Sequence, residues 1–388
     1  MTGPIVSVIG GGQLARMMVP PASELGITLR VLVENEHTSA AQVVVDSPVG
    51  AASDHDAVTA LVNGADVLTF EHEHVPNELL SELISQGVSV QPGPEALLQA
   101  QDKIVMRKKL TQMKVPCPPW QALSTDTAQA RAELGNFIGA HGPEVIVKTS
   151  RGGYDGKGVR VVSTPDQVAD WFEHVEAGGP ALLVEQKVPF SRELAVLVAR
   201  RPSGDAKTWP VVESIQEDGV CAQVIAPAPH LSDVDAQRAQ DIALTIAHGL
   251  GVTGVLAVEL FEVTHSDGTT DIFVNELAMR PHNSGHWTID GSVTSQFEQH
   301  LRAVLDLPLG DTTPTAPWTV MANVLGASHE TLTDCLPVVL EAYPDARVNL
   351  YGKEPRPGRK LGHVNISGTD LDLVYERAVG AARLVRGQ

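Results

Sequence analysis

Two strand-like runs of the chain, each carrying a glutamate among apolar residues, constrain its fold most strongly. The first run, VLAVELF, contains Glu259, and the second, DIFVNE, ends in Asn275 and Glu276. Strict alternation in the second run predicts that Ile272 and Val274 share a face with Glu276. Asn275 is then expected to point the other way. A carboxylate in such a run is costly to bury without a partner, so we expect each glutamate to have one.

The segment between the two runs, THSDGTT, predicts a hairpin because Asp-Gly is a strong signal for a tight turn. A turn centred on residues 267–268 places Glu259 directly opposite Glu276, where like charges destabilise the ladder. A divalent cation between the carboxylates would reverse that repulsion. The two carboxylates and the amide oxygen of Asn275 are hard oxygen donors, which suit magnesium carrying nucleotide phosphates. The alternative is a pair of solvent-facing glutamates on an edge hairpin.

A dense set of polar side chains follows the second run, in the segment RPHNSGHW. It contains Arg280, His282, Asn283, Ser284 and His286. Arginine binds planar oxyanions in a bidentate manner, and histidine donates or shuttles protons near neutral pH. Either histidine alone would be explained as a capping residue in a loop. The whole set, directly after a predicted metal site, favours an anion-binding or catalytic loop.

Length, charge and cysteine content limit the classes of protein to consider. A chain of 388 residues with 43% hydrophobic content predicts two or three domains with substantial cores. A net charge of −19 argues against nucleic acid as a partner. Three widely spaced cysteines fit neither a disulfide framework nor a metal site. The chain enters a strand at once and has no apolar run of membrane-spanning length, so we expect a cytoplasmic protein without a membrane segment.

The first hundred residues predict an open parallel sheet. Strand-like PIVSVIG, a glycine turn, a helix over LARMMVPPASELG and the strand ITLRVLVE form the first unit. The strand ADVLTF follows, with EHEHVP at its carboxyl end, where such sheets bind ligands. Further helices are expected over residues 76–86 and, as one long helix, over residues 94–113.

The first glycine turn has a second interpretation. Gly10, Gly12 and Ala15 match the dinucleotide fingerprint, and Glu34 ends the second strand where a ribose-binding acid would lie. A nicotinamide-dependent oxidoreductase is therefore an alternative function. A glycine turn that only packs a helix against a strand, or that meets another anion, would show the same pattern.

A glycine-rich loop, RGGYDGKG, lies between the strands EVIVKTS and VRVVS. The flanking strands predict a hairpin, and the loop lacks the spacing of a Walker motif. With Lys148 on its first strand, such a hairpin could fold over a triphosphate, as the kinase glycine loop does. The alternative is a mobile surface hairpin.

The rest of the chain contains two Pro-rich breaks, VPCPPW and DLPLGDTTPTAPW, which predict domain boundaries. Residues 185–188 are expected to connect two strands, and helices are expected over residues 232–249, 294–305 and 370–383, with Ser232 as an N-cap. A late cluster of basic residues in this acidic chain predicts a phosphate site, with a solvated loop as the alternative. Its members are Lys353, Arg356, Arg359 and Lys360.

In this order, the segments GGYDGKG, EQKV, VELF and NELAMRPHNSGHWT resemble the ATP-grasp superfamily. Within it, the chain is similar to the 5-(carboxyamino)imidazole ribonucleotide synthases of purine biosynthesis, from IGGGQLARMM through TFEHEHVP to YGKEPRPGRKLGHVN. The resemblance implies an α/β and α+β architecture with a Rossmann-like domain (1–112), an ATP-grasp domain (113–305) and a C-terminal domain (306–388). The ATP-grasp domain would comprise a lid subdomain (113–190) and a core with the metal hairpin (191–305). A homodimer is also implied.

The resemblance further implies an ATP-dependent carbon–nitrogen ligase. ATP would phosphorylate bicarbonate to carboxyphosphate, and the amino group of 5-aminoimidazole ribonucleotide would then be carboxylated, with ADP and phosphate released. This order is chemically sound because bicarbonate is a poor electrophile whose leaving group would be hydroxide, whereas phosphate is a good leaving group. The protein would contribute positioning and charge neutralisation.

The same resemblance assigns roles to residues of this chain. Arg280 and His282 would act on bicarbonate or carboxyphosphate, and Lys353 would be catalytic as well as substrate-binding. Magnesium would be held by Glu259 and Glu276. The ribonucleotide would be held by Gln13, Glu73, Tyr154, Asp155, Lys353, Arg359 and Lys360. ATP would be bound by Lys103, Lys148, Gly153, Tyr154, Asp155, Gly156, Lys157, Gly158, Val159, Glu185, Gln186, Lys187, Val188, Glu193, Gln216, Asn275 and Glu276.

Three positions depart from the family pattern. Gly11 and Ala15 stand where asparagine and glycine are common, and Gln216 replaces a histidine that contacts the nucleotide. The last change puts the role of that position in doubt. Another ATP-grasp ligase with a different acceptor is an alternative, because a fold alone does not fix the substrate. A non-catalytic ATP-binding regulator is a third class, but it would be expected to lack a metal acid or the loop glycines.

Overall fold

A computed structural model describes residues 3–153 and 158–388 of the chain. Within these residues, the paired strands form three sheets that surround one large cavity. No helix in the described ranges is both long enough and apolar enough to cross a membrane.

The first sheet is parallel, as predicted, with the order β2-β1-β3. Val90 adds a parallel bridge to Leu68 at its edge. Parallel pairing places the carboxyl ends of β1 and β3 at one edge, where the glycine turn and EHEHVP lie side by side. The strands are β1 (Ile5–Ile9), β2 (Thr28–Leu32) and β3 (Val67–Phe70). The helices are α1 (Gln13–Met17), α2 (Val19–Glu24), α3 (His55–Val62), α4 (Asn77–Ser85), α5 (Pro94–Gln101) and α6 (Lys103–Gln112).

Two helices that were predicted as continuous are broken. The first divides into α1 and α2 because Pro20 and Pro21 have no N–H to continue the hydrogen-bond ladder. The predicted helix over residues 94–113 divides at Asp102, whose backbone is extended and whose side chain accepts from the N–H groups of Ile104 and Val105. This cap starts a new helix, and it places Lys103 in the first turn, at the cavity wall.

The second sheet belongs to the region predicted as a lid. Its order is β4-β7-β5-β6, and all pairs are antiparallel. The β5–β6 pair confirms the predicted hairpin around the glycine-rich loop. The prediction that residues 185–188 form a connector is wrong in its first half, because Glu185 and Gln186 pair within β7. The elements are β4 (Trp120–Ala122), α7 (Thr127–His141), β5 (Val145–Thr149), β6 (Val159–Val162), α8 (Ala169–Glu176) and β7 (Leu182–Gln186).

The third sheet is the largest, with the order β13-β12-β8-β10-β11-β14-β16-β15 and with β9 paired to β8. It continues across the second Pro-rich break, because β14 pairs with β11. The basic segment before β16 is thereby brought to the cavity. The strands are β8 (Arg192–Arg200), β9 (Ala206–Thr208), β10 (Val212–Glu217), β11 (Val220–Ala226), β12 (Gly254–Thr264), β13 (Thr270–Ala278), β14 (Trp318–Leu325), β15 (Arg347–Leu350) and β16 (Lys360–Gly368).

Helices cover this sheet, and their caps follow the sequence. Ser232 caps α9 as predicted, since its hydroxyl accepts from the N–H of Asp235. Ser295 and Asp370 cap α11 and α13 in the same way. The helices are α9 (Asp233–Gly249), α10 (Thr288–Gly291), α11 (Gln296–Val304), α12 (Leu336–Ala342) and α13 (Leu371–Arg386). Short 3-10 turns span Pro165–Val168, Asn283–Gly285 and Leu332–Cys335.

The β12–β13 hairpin confirms the predicted pairing of Glu259 with Glu276 but not the predicted register of its turn. Thr264 pairs with Thr270, so the connection is a five-residue loop centred on Asp267 alone. If the Thr264–Thr270 register continued along the hairpin, Glu259 would lie opposite residue 275. A β-bulge between Glu259 and Leu260 shifts the register and restores the Glu259–Glu276 pair.

The bulge also corrects the predicted distribution of faces along β13. Ile272 and Val274 pack into the same hydrophobic core as Leu277, so Glu276 lies on the opposite face from them. Asn275 is the extra residue, and it lines the cavity together with Glu276. Strict alternation fails here because a bulge inserts one residue into the period of two.

Candidate active site

A single cavity of about 970 Å³ collects the predicted site residues from all three sheets. Twenty of them line its wall. They are Gln13, Glu73, Lys103, Lys148, Gly153, Val159, Glu185, Gln186, Lys187, Val188, Glu193, Gln216, Glu259, Asn275, Glu276, Arg280, His282, Lys353, Arg359 and Lys360. Gly158 is described but is not part of the wall. Tyr154, Asp155, Gly156 and Lys157 lie outside the described residues.

The Glu259–Glu276 pair lies against a lysine and a histidine. Lys103 Nζ is 2.5 Å from Glu276 Oε1, and His282 Nε2 is 3.4 Å from Glu259 Oε1. Burial, together with the negative charges of Glu276 and Glu193, raises the pKa of the Glu259 carboxyl to about 7. The carboxylates of Glu259 and Glu276 therefore repel each other, and a cation bound between them would remove that repulsion.

Two buried cations share the carboxylate of Glu185, which belongs to β7 of the second sheet. Arg107 Nε donates to Glu185 Oε1 at 2.6 Å, and Lys148 Nζ is 2.8 Å from Glu185 Oε2. Burial alone would raise the pKa of the Glu185 carboxyl, but the two cations outweigh it and lower the pKa to about 2. Lys148 also donates to Asn275 Oδ1 at 3.3 Å. The lysine is therefore fixed at the cavity wall beside the hairpin.

Glu193 and Gln216 lie beside each other on neighbouring strands, because Ser214 of β10 pairs with Glu193 of β8. Burial raises the pKa of the Glu193 carboxyl, while hydrogen bonding by Gln216 and the charge of Lys148 oppose the shift. Gln216 Nε2 also donates to Ser214 Oγ at 2.9 Å. The glutamine that departs from the family pattern is thus at the cavity and in contact with an acidic wall residue.

Arg280 and His282 lie between the carboxylate pair and the first sheet. Arg280 Nε is 3.0 Å from Glu73 Oε1. The Nδ1 atom of His282 accepts from the backbone N–H of Ser284, so Nε2 carries the proton and faces Glu259. Burial, together with the charges of Arg280 and Lys360, lowers the pKa of His282 to about 3. The imidazole is therefore a neutral donor.

The glycine turn after β1 surrounds a carboxylate that sequence reasoning did not single out. A Cβ added to Gly12 would lie 2.0 Å from Glu71 Oε1, and one added to Gly10 would lie 2.9 Å from Glu71 Oε2. Burial raises the pKa of Glu71 to about 7, although Arg280 and Lys353 oppose the shift. The turn needs glycine because it packs against this side chain. The position of Glu71 at the carboxyl end of a parallel strand was the signal that could have identified it.

The basic segment reaches the cavity from the C-terminal part of the chain. Lys353 Nζ donates to Gln13 Oε1, and it lies 5.8 Å from the centre of the Tyr351 ring. Arg359 donates to the carbonyl of Glu354 at 3.1 Å. Arg356 belongs to the same cluster but is exposed and pairs with Glu354. Lys353 therefore contacts the residue that follows the glycine turn, Arg359 and Lys360 line the same cavity, and Arg356 faces solvent.

Sequence profiles of known families match the chain in three successive regions. They are the ribonucleotide synthetase preATP-grasp domain over residues 4–101, the ATP-grasp domain over residues 108–297 and the phosphoribosylaminoimidazole carboxylase C-terminal domain over residues 319–377. The glycine turn thus belongs to a preATP-grasp domain, which makes the nicotinamide-dependent alternative wrong.

Curated relatives match nearly the whole chain. The N5-carboxyaminoimidazole ribonucleotide synthase of Mycobacterium tuberculosis is 51% identical over 382 residues, which cover 98% of this chain and 87% of the relative. The synthase of that name from Corynebacterium ammoniagenes is 50% identical, covering 98% of this chain and 91% of the relative.

Solved structures agree with these matches. An ADP complex of an N5-carboxyaminoimidazole ribonucleotide synthetase superposes with a TM-score of 0.87 at 32% identity, covering 100% of this chain and 99% of that one. The Aspergillus clavatus synthase in complex with ADP and 5-aminoimidazole ribonucleotide gives a TM-score of 0.86 at 30% identity, covering 99% of each chain. With the cavity residues and the three domain matches, these likenesses establish that the chain belongs to the N5-carboxyaminoimidazole ribonucleotide synthase family of ATP-grasp ligases.

Proposed function

We propose that this enzyme uses ATP and bicarbonate to carboxylate the amino group of 5-aminoimidazole ribonucleotide in purine biosynthesis, releasing ADP and phosphate. The observation that carries the proposal is that one cavity holds two groups of contacting residues. Lys103 contacts Glu276 and Lys148 contacts Asn275, beside Glu259, whereas Lys353 contacts Gln13 after the glycine turn. We assign the first group to ATP, as the ATP half, and the second, with Arg359 and Lys360, to the acceptor, as the acceptor half. Arg280 and His282, which contact Glu73 and Glu259, would lie between them.

The proposed reaction has two balanced steps. A bicarbonate oxygen attacks the γ-phosphorus, and the bond from that phosphorus to the β,γ-bridging oxygen breaks as ADP leaves. The amino nitrogen of the ribonucleotide then attacks the carbonyl carbon of carboxyphosphate. The carbon–oxygen bond to the phosphoryl group breaks, phosphate leaves, and the nitrogen loses a proton. Both steps need reactants held in place and shielded negative charge.

The ATP half is proposed to bind the nucleotide through groups that are already fixed. Lys103 and Lys148 would contact the phosphates, because both ammonium groups are held at the wall by carboxylates. The backbone of residues 185–188 would bind adenine, and Glu193 the ribose hydroxyls, with Gln216 beside it. The glycine-rich loop, residues 153–159, would close over the phosphates.

Magnesium is proposed to bind between the nucleotide and the hairpin. The fit rests on the repelling pair of Glu259 and Glu276 and on the amide oxygen of Asn275 next to it. No group of three or more His, Cys, Asp or Glu residues in the described ranges is arranged to hold a metal alone. Phosphate oxygens would therefore have to complete the ligand set, as is usual for magnesium. When bound, the ion would neutralise phosphate charge.

Bicarbonate and carboxyphosphate are proposed to bind at Arg280 and His282. The guanidinium of Arg280 supplies a fixed positive charge because Glu73 holds one of its nitrogens. The neutral His282 offers its Nε2 proton to an oxyanion, which needs no change in protonation near neutral pH. These two side chains would orient the carboxyl carbon between the phosphoryl donor and the amine.

The acceptor half is proposed to hold the ribonucleotide by charge and hydrogen bonding. Arg359 and Lys360 would bind its phosphate, with Lys353 closer to the reacting amine. Gln13 and Glu73 would contact the ribose and the imidazole. From the sequence, Tyr154 and Asp155 also belong to this group. The pocket must be locally basic because the chain as a whole is strongly acidic.

The decisive experiment is phosphate release from ATP and bicarbonate across a panel of amine acceptors. The panel compares 5-aminoimidazole ribonucleotide with its dephosphorylated riboside and with phosphorylated amino sugars. We expect acceptor-dependent ATP turnover only with the ribonucleotide. Stimulation by a different acceptor, with none by the ribonucleotide, would favour another ATP-grasp ligase.

Three further properties are proposed on the resemblance. The enzyme would be a homodimer and would work in the cytoplasm, which agrees with three cysteines that form no disulfide. We also propose domain boundaries near residues 112 and 305, with the lid subdomain ending near residue 190. Size-exclusion chromatography with light scattering tests the oligomeric state.

A further inference from the structure

Arg107 is a fully buried arginine in the middle of α6, and it does not line the cavity. A buried guanidinium is costly unless its donors are satisfied. Its Nε donates to Glu185 Oε1 at 2.6 Å. Its Nη1 donates to the carbonyl of Val274 at 3.1 Å, and its Nη2 donates to the carbonyl of Asn275 at 2.7 Å. All three guanidinium nitrogens therefore have an oxygen partner.

The two carbonyls belong to the bulge that brings Asn275 and Glu276 into the cavity. Among the residues that the structure describes, β13 is the last strand on its side of the sheet, so its outer backbone groups have no ladder partner there. The N–H of Val274 donates instead to the carbonyl of Pro116 at 2.8 Å. Arg107 binds the carbonyls of the extra residue and of the residue before it. An unpaired buried carbonyl is costly, so this arginine stabilises the bulged backbone over a straight one.

The same arginine is tied to the phosphate side of the cavity through Glu185. One oxygen of that carboxylate binds Arg107, and the other binds Lys148. Lys148 then reaches the side chain of Asn275, whose carbonyl binds Arg107. The four residues form a closed ring that links α6, the lid sheet and the metal hairpin.

We propose that Arg107 is a positioning residue for the ATP half of the reaction, which fixes Lys148 and the bulged strand without touching substrate. This inference rests on the proposed function of that half. Removing the guanidinium would leave Glu185 paired to Lys148 alone and would free the carbonyls of Val274 and Asn275. The register that places Glu276 opposite Glu259 would then lose its anchor.

The test compares Arg107→Met, which removes every donor, with Arg107→Lys, which can keep the bond to Glu185 but cannot fork onto both carbonyls. Affinity for a non-hydrolysable ATP analogue with magnesium is measured by calorimetry, without bicarbonate or ribonucleotide. The Michaelis constants for ATP and ribonucleotide and the magnesium concentration at half-maximal rate are measured separately. Melting temperature establishes that each variant is folded.

Arg30→Lys is the matched control. Arg30 also binds one carboxylate, that of Asp46, and two backbone carbonyls, those of Leu61 and Asn63. It lies in the first sheet and does not line the cavity. A purely structural role for Arg107 predicts that it would behave like this control, with a lower melting temperature and unchanged substrate constants.

For Arg107→Lys we expect about tenfold increases in the dissociation constant of the ATP analogue, in the Michaelis constant for ATP and in the magnesium concentration at half-maximal rate. For Arg107→Met we expect larger increases in the same three quantities. The Michaelis constant for ribonucleotide should stay within about twofold of wild type. A folded Arg107→Met with wild-type ATP and magnesium constants would overturn the proposal; if that variant does not fold, Arg107→Lys decides by the same criterion. The calorimetric measurement needs no acceptor. It therefore tests the positioning role of Arg107 even if the ribonucleotide is not the substrate.

Discussion

Glu259 and Glu276 face each other across the β12–β13 hairpin only because β13 contains one extra residue, Asn275. The turn alone sets a register in which Glu259 would lie opposite Asn275. The bulge moves Glu276 into that place and turns it away from the core face of Ile272 and Val274. Two carboxylates and an amide are thus gathered at one end of a single hairpin, beside Lys103 and His282.

Glu276→Gln should reduce turnover by at least about a hundredfold. It removes a charged ligand from the proposed magnesium site, which should cost on the order of 3 kcal/mol in the transition state. Stability without magnesium should change by less than about 1 kcal/mol, because lost repulsion from Glu259 and the lost pair with Lys103 oppose each other. The measurement is turnover across a magnesium titration. Asp271→Asn on the same strand should leave turnover unchanged, and near wild-type activity of Glu276→Gln at saturating magnesium would refute the ligand assignment.

Gly158→Ala should raise the Michaelis constant for ATP and lower turnover together. Gly158 has a φ of +72°, and an added Cβ would lie 2.5 Å from Thr149 Oγ1. The base of the glycine-rich loop would be strained by about 1–2 kcal/mol. Steady-state kinetics in ATP make the measurement. Gly178→Ala is the control, because Gly178 has a φ of +91° with no atom near the added Cβ. Equal effects of the two variants on ATP kinetics would show that the loop has no special role; from the sequence, Gly156→Val should act like Gly158→Ala.

Lys353→Ala and Arg359→Ala should each raise the Michaelis constant for the ribonucleotide about ten- to a hundredfold. A charge-assisted hydrogen bond contributes roughly 1.5–3 kcal/mol, and both residues line the cavity, in the part that we propose holds the acceptor. The Michaelis constant for ATP should barely change. A double titration of ATP and ribonucleotide measures both.

Arg356→Ala is the control for charge in this cluster, because Arg356 is exposed and outside the cavity wall. For the riboside, which lacks the phosphate, the Michaelis constant should be the same for wild type and for Arg359→Ala, because that variant removes a proposed phosphate contact. Loss of ATP affinity with unchanged ribonucleotide affinity would show that the cluster serves ATP.

Glu71→Gln should stabilise the folded protein at pH 8 and have little effect near pH 5. Burial raises the pKa of Glu71 from 4.5 to about 7 in the fold. The carboxyl of Glu71 therefore binds its proton more tightly in the folded state than in the unfolded state. Its contribution to the free energy of unfolding is full below pH 4.5 and is lost as the pH rises through 7. A tenfold difference in proton affinity corresponds to roughly 1.4 kcal/mol, so the gain at pH 8 should be on the order of 3 kcal/mol. Urea unfolding of both proteins at pH 5 and pH 8 measures it. A difference that is independent of pH would contradict the buried, protonated carboxyl.

Local patterns in the sequence determined much of the fold and about half of the cavity wall. Alternation and turn residues predicted the parallel first sheet, the glycine-loop hairpin and the β12–β13 hairpin, and Ser232 was correctly predicted to cap a helix. Motif resemblance named twenty residues that now share one wall. These features are predictable because hydrogen-bond ladders, caps and turns depend on neighbouring residues.

Only the tertiary structure decided how those local pieces meet. The bulge at Asn275 is held by Arg107, 168 positions away, which binds the freed carbonyl, and no local pattern reports such a bond. The break at Asp102 places Lys103 against Glu276, although helix propensity alone favoured one continuous helix. Glu71 acquires its raised pKa from burial against a glycine turn that is distant in the sequence. Burial and long-range pairing depend on which surfaces pack together, so the sequence supplied the site residues and the packing set their charges and positions.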